Sequence, residues 1–303
     1  MASIGDVLID ASASMHPVCF SNTVFIWLNK MTLVAAWIRK IKGVEELLVA
    51  SDSRLRFGCA WDYCPKVFPL PRGDSVLCFA GDTFYAYPML MQLRSAISMN
   101  HKLATRAVDV TDMRSYIIDL IDDMRTQVYD HPAGMQEEDK TDYRFIFAGY
   151  SWKFQEFRIW HIQYQKNIKK FSFRNVGVYP KEQNSGRIFH FIGDETGKAR
   201  ERLNRLLLSK SELAHGELNM EPFEVLVGMV RDKVDISIGG PPQLAKIYRH
   251  MNAMPYNVYW PTKDEGRITF FGRPLLTYER NSYLVLDPDT LETIEPRIAF
   301  SDI

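Results

Sequence analysis

Thr32 opens a strand-like run, TLVAAWI. A threonine hydroxyl is a poor nucleophile at neutral pH unless a neighbouring base takes its proton during attack. Further polar residues recur at the borders of apolar runs. Asp52-Ser53-Arg54 closes a second run, ELLVASDS, Lys66-Val67 follows in a loop after Pro65, and Ala80-Gly81 ends a third run, SVLCFA. Asp235-Ile236-Ser237-Ile238-Gly239-Gly240 stands beyond a helical segment near the far end. Each has an ordinary reading beside a chemical one. Thr32 is a β-branched strand residue; Asp52 to Arg54 is a strand-ending turn with an ion pair, and Lys66 a solvated lysine. Gly81 is a tight turn, Asp235 ends a helix, and Gly239-Gly240-Pro241-Pro242 is a linker.

Other chemistries find less support. Cys59, Cys64 and Cys78 lack the paired Cys-x-x-Cys spacing of zinc sites and have no histidine nearby, so no metal or other cofactor is expected. The histidines, His16, His101, His131, His161, His190, His215 and His250, are scattered with no helical pairing and read as surface or packed residues. The segment Tyr164 to Arg174 mixes Lys166, Lys169, Lys170 and Arg174 with Phe171 and Phe173, as a single-strand nucleic-acid groove would. An edge strand guarded by lysines is the commoner source of that pattern. Gly193 to Lys198 lacks the glycine spacing of a nucleotide loop.

The elements that must position these residues belong to a globular chain of 303 residues, 46% hydrophobic and 24% charged, which excludes disorder and collagen-like repetition. Its 37 basic and 37 acidic residues give no overall attraction to nucleic acid or anionic lipid. The run Val24 to Ile38 is interrupted by Asn29 and Lys30 and falls short of the roughly 20 residues of a spanning helix. Asp6 and Asp10 occupy the region that a secretory signal keeps positive. Cys19, Cys59, Cys64 and Cys78 fit reduced, packed thiols, so a cytoplasmic location is expected, with neither membrane nor nucleic-acid partner. Strand patterns run from Met31 through Ser53 and over Ser75 to Ala80, followed by helices at Phe84 to Met99 and Val110 to Tyr129. Strands resume at 143–150, 156–164, 169–175 and 187–193, then helices at 195–208 and 222–234 and a strand at 242–248. The segment 255–303 carries two strand-like runs, Arg267 to Phe271 and Ser282 to Asp287, and reads as an appended β element.

The order of Thr32, Asp52-Ser53-Arg54, Lys66-Val67 and Ala80-Gly81 resembles the proteasome-type N-terminal nucleophile hydrolases, β-subunit-like or HslV-like. Phe191-Ile192-Gly193 before a helix is similar to that family's Gly-Ser-Gly turn, and the segment 235–240 to its Asp-x-x-Ser-Gly-Gly. The likeness covers roughly residues 32 to 250. It implies an α+β, four-layer αββα sandwich with a C-terminal β extension. Residues 1–31 would be a leader, propeptide or mis-assigned start, 32–251 the main domain and 252–303 its extension. It also implies hydrolysis of peptide or amide bonds through an acyl-enzyme on Thr32, with the threonine's own α-amino group as base; that group's ordinary pKa of roughly 7.7 to 8.0 leaves a useful neutral fraction. In this arrangement Lys66 favours the alkoxide-like hydroxyl, Asp52 orients Lys66, the Gly81 N–H faces the oxyanion, and Asp235 holds the amino terminus. Leu55, Cys64, Phe68, Phe79 and Thr83 would line an apolar specificity pocket for a peptide or protein substrate. A homo-oligomer, in the family often a ring, is implied as well.

Two departures qualify the resemblance. Asp194 and Glu195 replace the serine of the glycine turn, and Ile238 replaces the serine before Gly239, with Ser237, Thr196 or Asp194 as the available substitutes. The mechanism also needs a free Thr32, so residues 1–31 must be removed, or translation must start at Met31. The alternative is a catalytically inactive member of the fold acting as an assembly or sensing subunit.

Overall fold

The computed structural model describes residues 32–57, 59–131, 135, 139–177, 186–210, 217–250 and 252–296. The leader or alternative start assigned to residues 1–31 lies outside the described residues.

Strands β1 (Leu33–Ile41) and β2 (Val44–Ser51) form an antiparallel hairpin closed by Lys42 and Gly43. Both turn residues have positive φ, 49° and 80°, the two-residue geometry whose twist matches that of the flanking strands. β1 pairs on its other side with β10 (Phe189–Gly193), and β2 with β11 (Gln243–Ile247). The sheet continues through β12 (Ala253–Trp260), β13 (Arg267–Phe270) and β14 (Arg273–Pro274), with β15 (Val285–Leu286) and β16 (Thr293–Ile294) completing nine strands. A second, five-stranded antiparallel sheet runs β5 (Val67–Pro69), β6 (Ser75–Gly81), β7 (Tyr143–Ser151), β8 (Glu156–Gln165) and β9 (Lys170–Asn175). β3 (Leu55–Phe57) and β4 (Cys59–Trp61) make a separate hairpin.

The expected four-layer αββα sandwich with an appended C-terminal element is therefore corrected. Antiparallel sheet dominates the described chain, with sixteen strands against five α-helices, and β12 to β16 are members of the larger sheet rather than an appendage. Sequence reading assigned no strand at β12, which contains Pro255. That proline is tolerated because β13 and β15 join β12 only from Asn257 onward, leaving Pro255 opposite Ala245 of β11 alone.

The helices occupy two places. Leu90, Leu93 and Ile97 of α1 (Thr83–Met99) and Met113, Ile117 and Ile121 of α3 (Val110–Thr126) cluster with Leu77, Phe79, Phe145 and Phe147 of the smaller sheet. A short α2 (His101–Ala104) links them. Leu203 and Leu207 of α4 (Thr196–Ser209) and Phe223, Leu226 and Val230 of α5 (Glu221–Arg231) cluster with Leu33, Trp37, Leu48 and Leu244 of the larger sheet. A third cluster draws Val34, Val49 and Ala245 from the larger sheet and Val76, Ile146 and Ile159 from the smaller one. The two sheets thus share a core, and Thr32 enters the larger sheet at its border. No helix among the described residues is long and apolar enough to cross a membrane.

Two histidines read as unconnected in sequence meet across this core. His190 Nε2 lies 3.1 Å from His161 Nδ1, and both rings are buried. Burial first, then His190 and Arg174, push the His161 imidazole down to about 3; burial, Arg174 and Arg200 push His190 down to about 4. Below pH 6.5 the unfolded chain takes up protons that the folded chain refuses. The stability these rings carry is therefore complete above pH 6.5 and is lost as pH falls toward 4 and 3, by about 1.4 kcal/mol per pH unit for each ring. His161→Gln with His190→Gln is expected to flatten that acid limb in urea unfolding between pH 7 and 5. An equal loss in both proteins would count against it.

Candidate active site

Thr32 precedes β1 with φ +109°, a conformation that a β-branched residue adopts only under strain, at a cost of about 1–3 kcal/mol. Its side chain is fully buried, and Oγ1 has no hydrogen-bond partner among the described residues. The conformation is held from outside: Asp194 N–H donates to the Thr32 carbonyl at 2.8 Å. Gly193, with φ +104°, makes this approach feasible, because a Cβ there would overlap the Thr32 carbonyl oxygen and press on the Ala80 side chain.

Asp52 follows β2 and is fully buried. Its Oδ1 accepts from Leu33 N–H at 3.0 Å and from Lys66 Nζ at 2.9 Å, while Oδ2 accepts from Arg54 N–H at 3.1 Å and Gly239 N–H at 3.0 Å. Four donors use the full accepting capacity of a carboxylate. Lys66 is likewise fully buried. Burial holds its ammonium below the usual lysine range, against the opposing pull of Asp52 and, more weakly, Asp194. Gln243 fixes the lysine's backbone: its Oε1 accepts from the N–H groups of Lys66 and Val67 at 2.9 and 3.2 Å, and its Nε2 donates to the Cys64 carbonyl at 2.6 Å.

The segment after α5 closes the other side. Ser237 Oγ donates to Asp194 Oδ2 at 2.7 Å, and Ser237 N–H donates to Asp235 Oδ1 at 2.7 Å. Burial raises the Asp235 carboxyl, but the Ser237 hydrogen bonds, with Lys198 and Arg56 nearby, outweigh it and hold the group below its ordinary value. Asp235 connects to Thr32 through Ser237 and Asp194. Asp194 itself is the residue bonded to the Thr32 backbone.

Thr32, Asp52, Lys66, Gly81 and Asp235, chosen from sequence, are thus not placed alike. Thr32, Asp52 and Lys66 form one buried group, and Asp235 stands two residues removed along a hydrogen-bond chain. Gly81 ends β6 opposite Tyr143 with φ +98°, where a Cβ would overlap the Asp142 carbonyl. Its neighbour Ala80 touches the Gly193 position.

The pocket residues also divide. Phe68 and Phe79 are buried and pack with Tyr87, at ring-centroid distances of 5.9 and 5.4 Å, and Leu55 packs against the same cluster. Cys64 is buried, its thiol pushed up to about 11 mainly by desolvation. Thr83 instead lines an apolar groove of about 820 Å³ with Phe84, Tyr87, Leu120 and Tyr129. A further cavity of about 670 Å³ is bordered by Arg54, Asp62 and the Gly239-Gly240 backbone. Sequence reading did not assign Asp62, which pairs with Arg54 at 2.6 and 2.9 Å, or Gln243. Gln243 gave no local signal, since its partners lie 176 to 191 residues away.

No family model matches the chain, and no curated protein matches it. Among solved structures it is similar to Anbu, an ancestral β-subunit, from Yersinia bercovieri. That likeness has 13% identity and a TM-score of 0.51, covering 74% of this chain and 86% of that one. The likeness is one of fold. Anbu from Hyphomicrobium sp. strain MC1 gives 15% identity and a TM-score of 0.48 over 73% of this chain and 84% of that one; its Gly-1 mutant gives 15% and 0.49 over 80% and 87%. These findings correct the sequence resemblance to the proteasome-type family of N-terminal nucleophile hydrolases. At 13% identity and in a sheet-dominated chain, the Yersinia bercovieri likeness supports a fold similar to that of the ancestral β-subunit and carries no assignment to that enzyme family.

Proposed function

We propose that the chain is a threonine hydrolase that cleaves peptide or amide bonds once Thr32 is its free amino terminus. The observation that carries this reading is the buried, unpartnered Thr32 hydroxyl on a strained backbone beside the Asp52–Lys66 pair. A fold spends stability on such an arrangement only where something else requires it. In the proposed reaction the α-amine takes the hydroxyl proton as Oγ1 attacks the substrate carbonyl. The Lys66 charge favours the developing alkoxide, and the Gly81 N–H is assigned to the oxyanion. Collapse breaks the carbon–nitrogen bond, and the leaving amine takes the proton held by the α-amine. Water, deprotonated by the same amine, then hydrolyses the ester and restores Thr32. Substrates with apolar groups are proposed from Leu55, Cys64, Phe68, Phe79 and Thr83, and assembly as a homo-oligomer belongs to the same reading.

A second reading keeps the fold without the chemistry, as an assembly or sensing subunit. It is favoured by the amide bond that joins Thr32 to Met31 in the sequence as written and by Ile238 at the position of a serine. Intact-mass measurement with amino-terminal sequencing separates the two. A Thr32 terminus that is acylated by an inhibitor selective for amino-terminal threonine is the expected result. A folded chain that retains the Met31–Thr32 bond would overturn the hydrolase reading.

A further inference from the structure

The basic and aromatic stretch 164–174 is divided by the smaller sheet. On β9, Phe171 and Phe173 stand opposite Tyr164 and Ile162, on the face covered by α3, whose Arg114 lies over the Phe173 ring. Ser172 and Arg174 alternate with them and face the larger sheet, as does Val176, which packs in the core between the sheets. Paired residues on neighbouring strands share a face. Arg174 therefore stands beside His161, Ser172 beside Gln163, and Gln163 beside Arg144 of β7. From the larger sheet, Ile188 and Ile192 belong to the same core, and His190 between them meets His161 at 3.1 Å.

This corner of the sandwich is rich in donors and short of acid. Arg144 of β7 is matched by Asp142 at 2.8 Å. Arg174 of β9 and Arg200 of α4 are exposed, and neither has an acidic partner among the described residues. The charges of both bear on both imidazoles. At the start of α4, Glu195 and Lys198 pair with each other at 3.1 Å, and β1 presents only Ala36 opposite His190. Neither the Gln163 nor the Ser172 side chain has a hydrogen bond among the described residues. His161, 6% exposed, keeps its Nε2 buried without a partner. Two unmatched guanidinium groups beside two buried imidazoles are a costly combination, which a negative group brought to the corner relieves.

We propose that this corner binds a doubly charged oxyanion, a sulfate or a phosphate group, held by Arg174 and Arg200 with Gln163 and Ser172 as neutral donors. A guanidinium fork matches two oxygens of such a group. The site is separate from the proposed hydrolase centre, since His190 precedes Asp194 by four residues, about 13 Å of strand. The histidine pair makes binding depend on pH. In the empty corner burial first, and then the arginine charges, keep both rings neutral. A bound anion offsets the arginine charges, so a ring holds its proton more readily and binding takes up protons as pH falls. The gain between pH 7 and 5.5 is at most about eightfold, the limit reached if His190 returns from about 4 to its ordinary 6.5.

Isothermal titration calorimetry of the full chain with sodium sulfate tests this, with ionic strength held constant by sodium chloride. Sulfate stays doubly charged from pH 7 to 5.5, so a pH response reports protons on the protein. The expected result is one sulfate per chain, tightening at least about twofold over that range. Arg174→Gln with Arg200→Gln, both at exposed positions, is expected to lower the affinity at least about tenfold. His161→Gln with His190→Gln is expected to bind sulfate at pH 7 and to lose the tightening; should that protein not fold, His190→Gln alone decides. Inorganic phosphate and methyl phosphate, titrated in the same way, separate the two sources of the group. Equal binding supports a phosphate ester as ligand, and preference for the inorganic ion supports a free anion. No saturable binding of any of the three, or native affinity in the folded arginine variant, would overturn the proposal. Native tightening in the folded histidine variant would overturn the part given to the histidines.

Discussion

Replacing Lys66 by methionine is expected to destabilise the fold by about 3 kcal/mol and to abolish hydrolysis. Both members of the Lys66–Asp52 pair are fully buried, and removing one partner of such a pair leaves an uncompensated charge, at a cost of about 3–5 kcal/mol. The low end applies because Asp52 keeps three backbone donors, from Leu33, Arg54 and Gly239. Adding Asp52→Asn removes the stranded charge. The double variant is therefore expected to lose less than the sum of the two single changes, with a coupling of about 1 kcal/mol or more. Urea unfolding at neutral pH of the four proteins measures this. A loss below about 1 kcal/mol in Lys66→Met would mean that water reaches the pair.

Thr32→Ala is expected to lower hydrolysis by at least about 10³-fold while leaving stability almost unchanged. The two halves of this expectation have separate causes. Activity falls because the nucleophile is gone. Stability holds because Oγ1 has no partner to lose, so the benefit of removing an unsatisfied buried hydroxyl, about 1–3 kcal/mol, offsets the packing lost with one methyl, about 0.8 kcal/mol. Thr32→Gly is expected to be inactive and at least as stable, since glycine adopts φ +109° without strain. Turnover of a peptide panel and thermal unfolding of the same preparations check both halves. A Thr32→Ala protein that hydrolyses as the native one does would show that Thr32 is not the nucleophile and overturn the threonine hydrolase reading.

How much of this was legible beforehand depends on the range of the interactions. Local periodicity and turn residues marked the β1–β2 hairpin, the strands β6 to β10 and the helices α1, α3, α4 and α5, because those signals lie within a few residues. The same signals gave no strand at β12, whose Pro255 is tolerated because only β11 pairs with the strand at that point. They also failed for overall architecture, since nothing local says that the last strands join the sheet begun by β1.

From the sequence alone, the residues chemically unusual for their surroundings could be picked out: a threonine before a strand, an Asp-Ser-Arg closing a strand, a lysine after proline, and an aspartate in place of serine. The fold was needed to show that Asp52 and Lys66 form one buried pair, that Gly81 ends β6 opposite Tyr143, and that Asp235 connects to Thr32 through Ser237 and Asp194. It alone joined His161 to His190, and Asp194 to both Thr32 and Ser237. The physical reason is that burial and charge pairing are set by sheet register. The fold brings together groups 14 to 187 residues apart in the chain, and no local pattern encodes those separations.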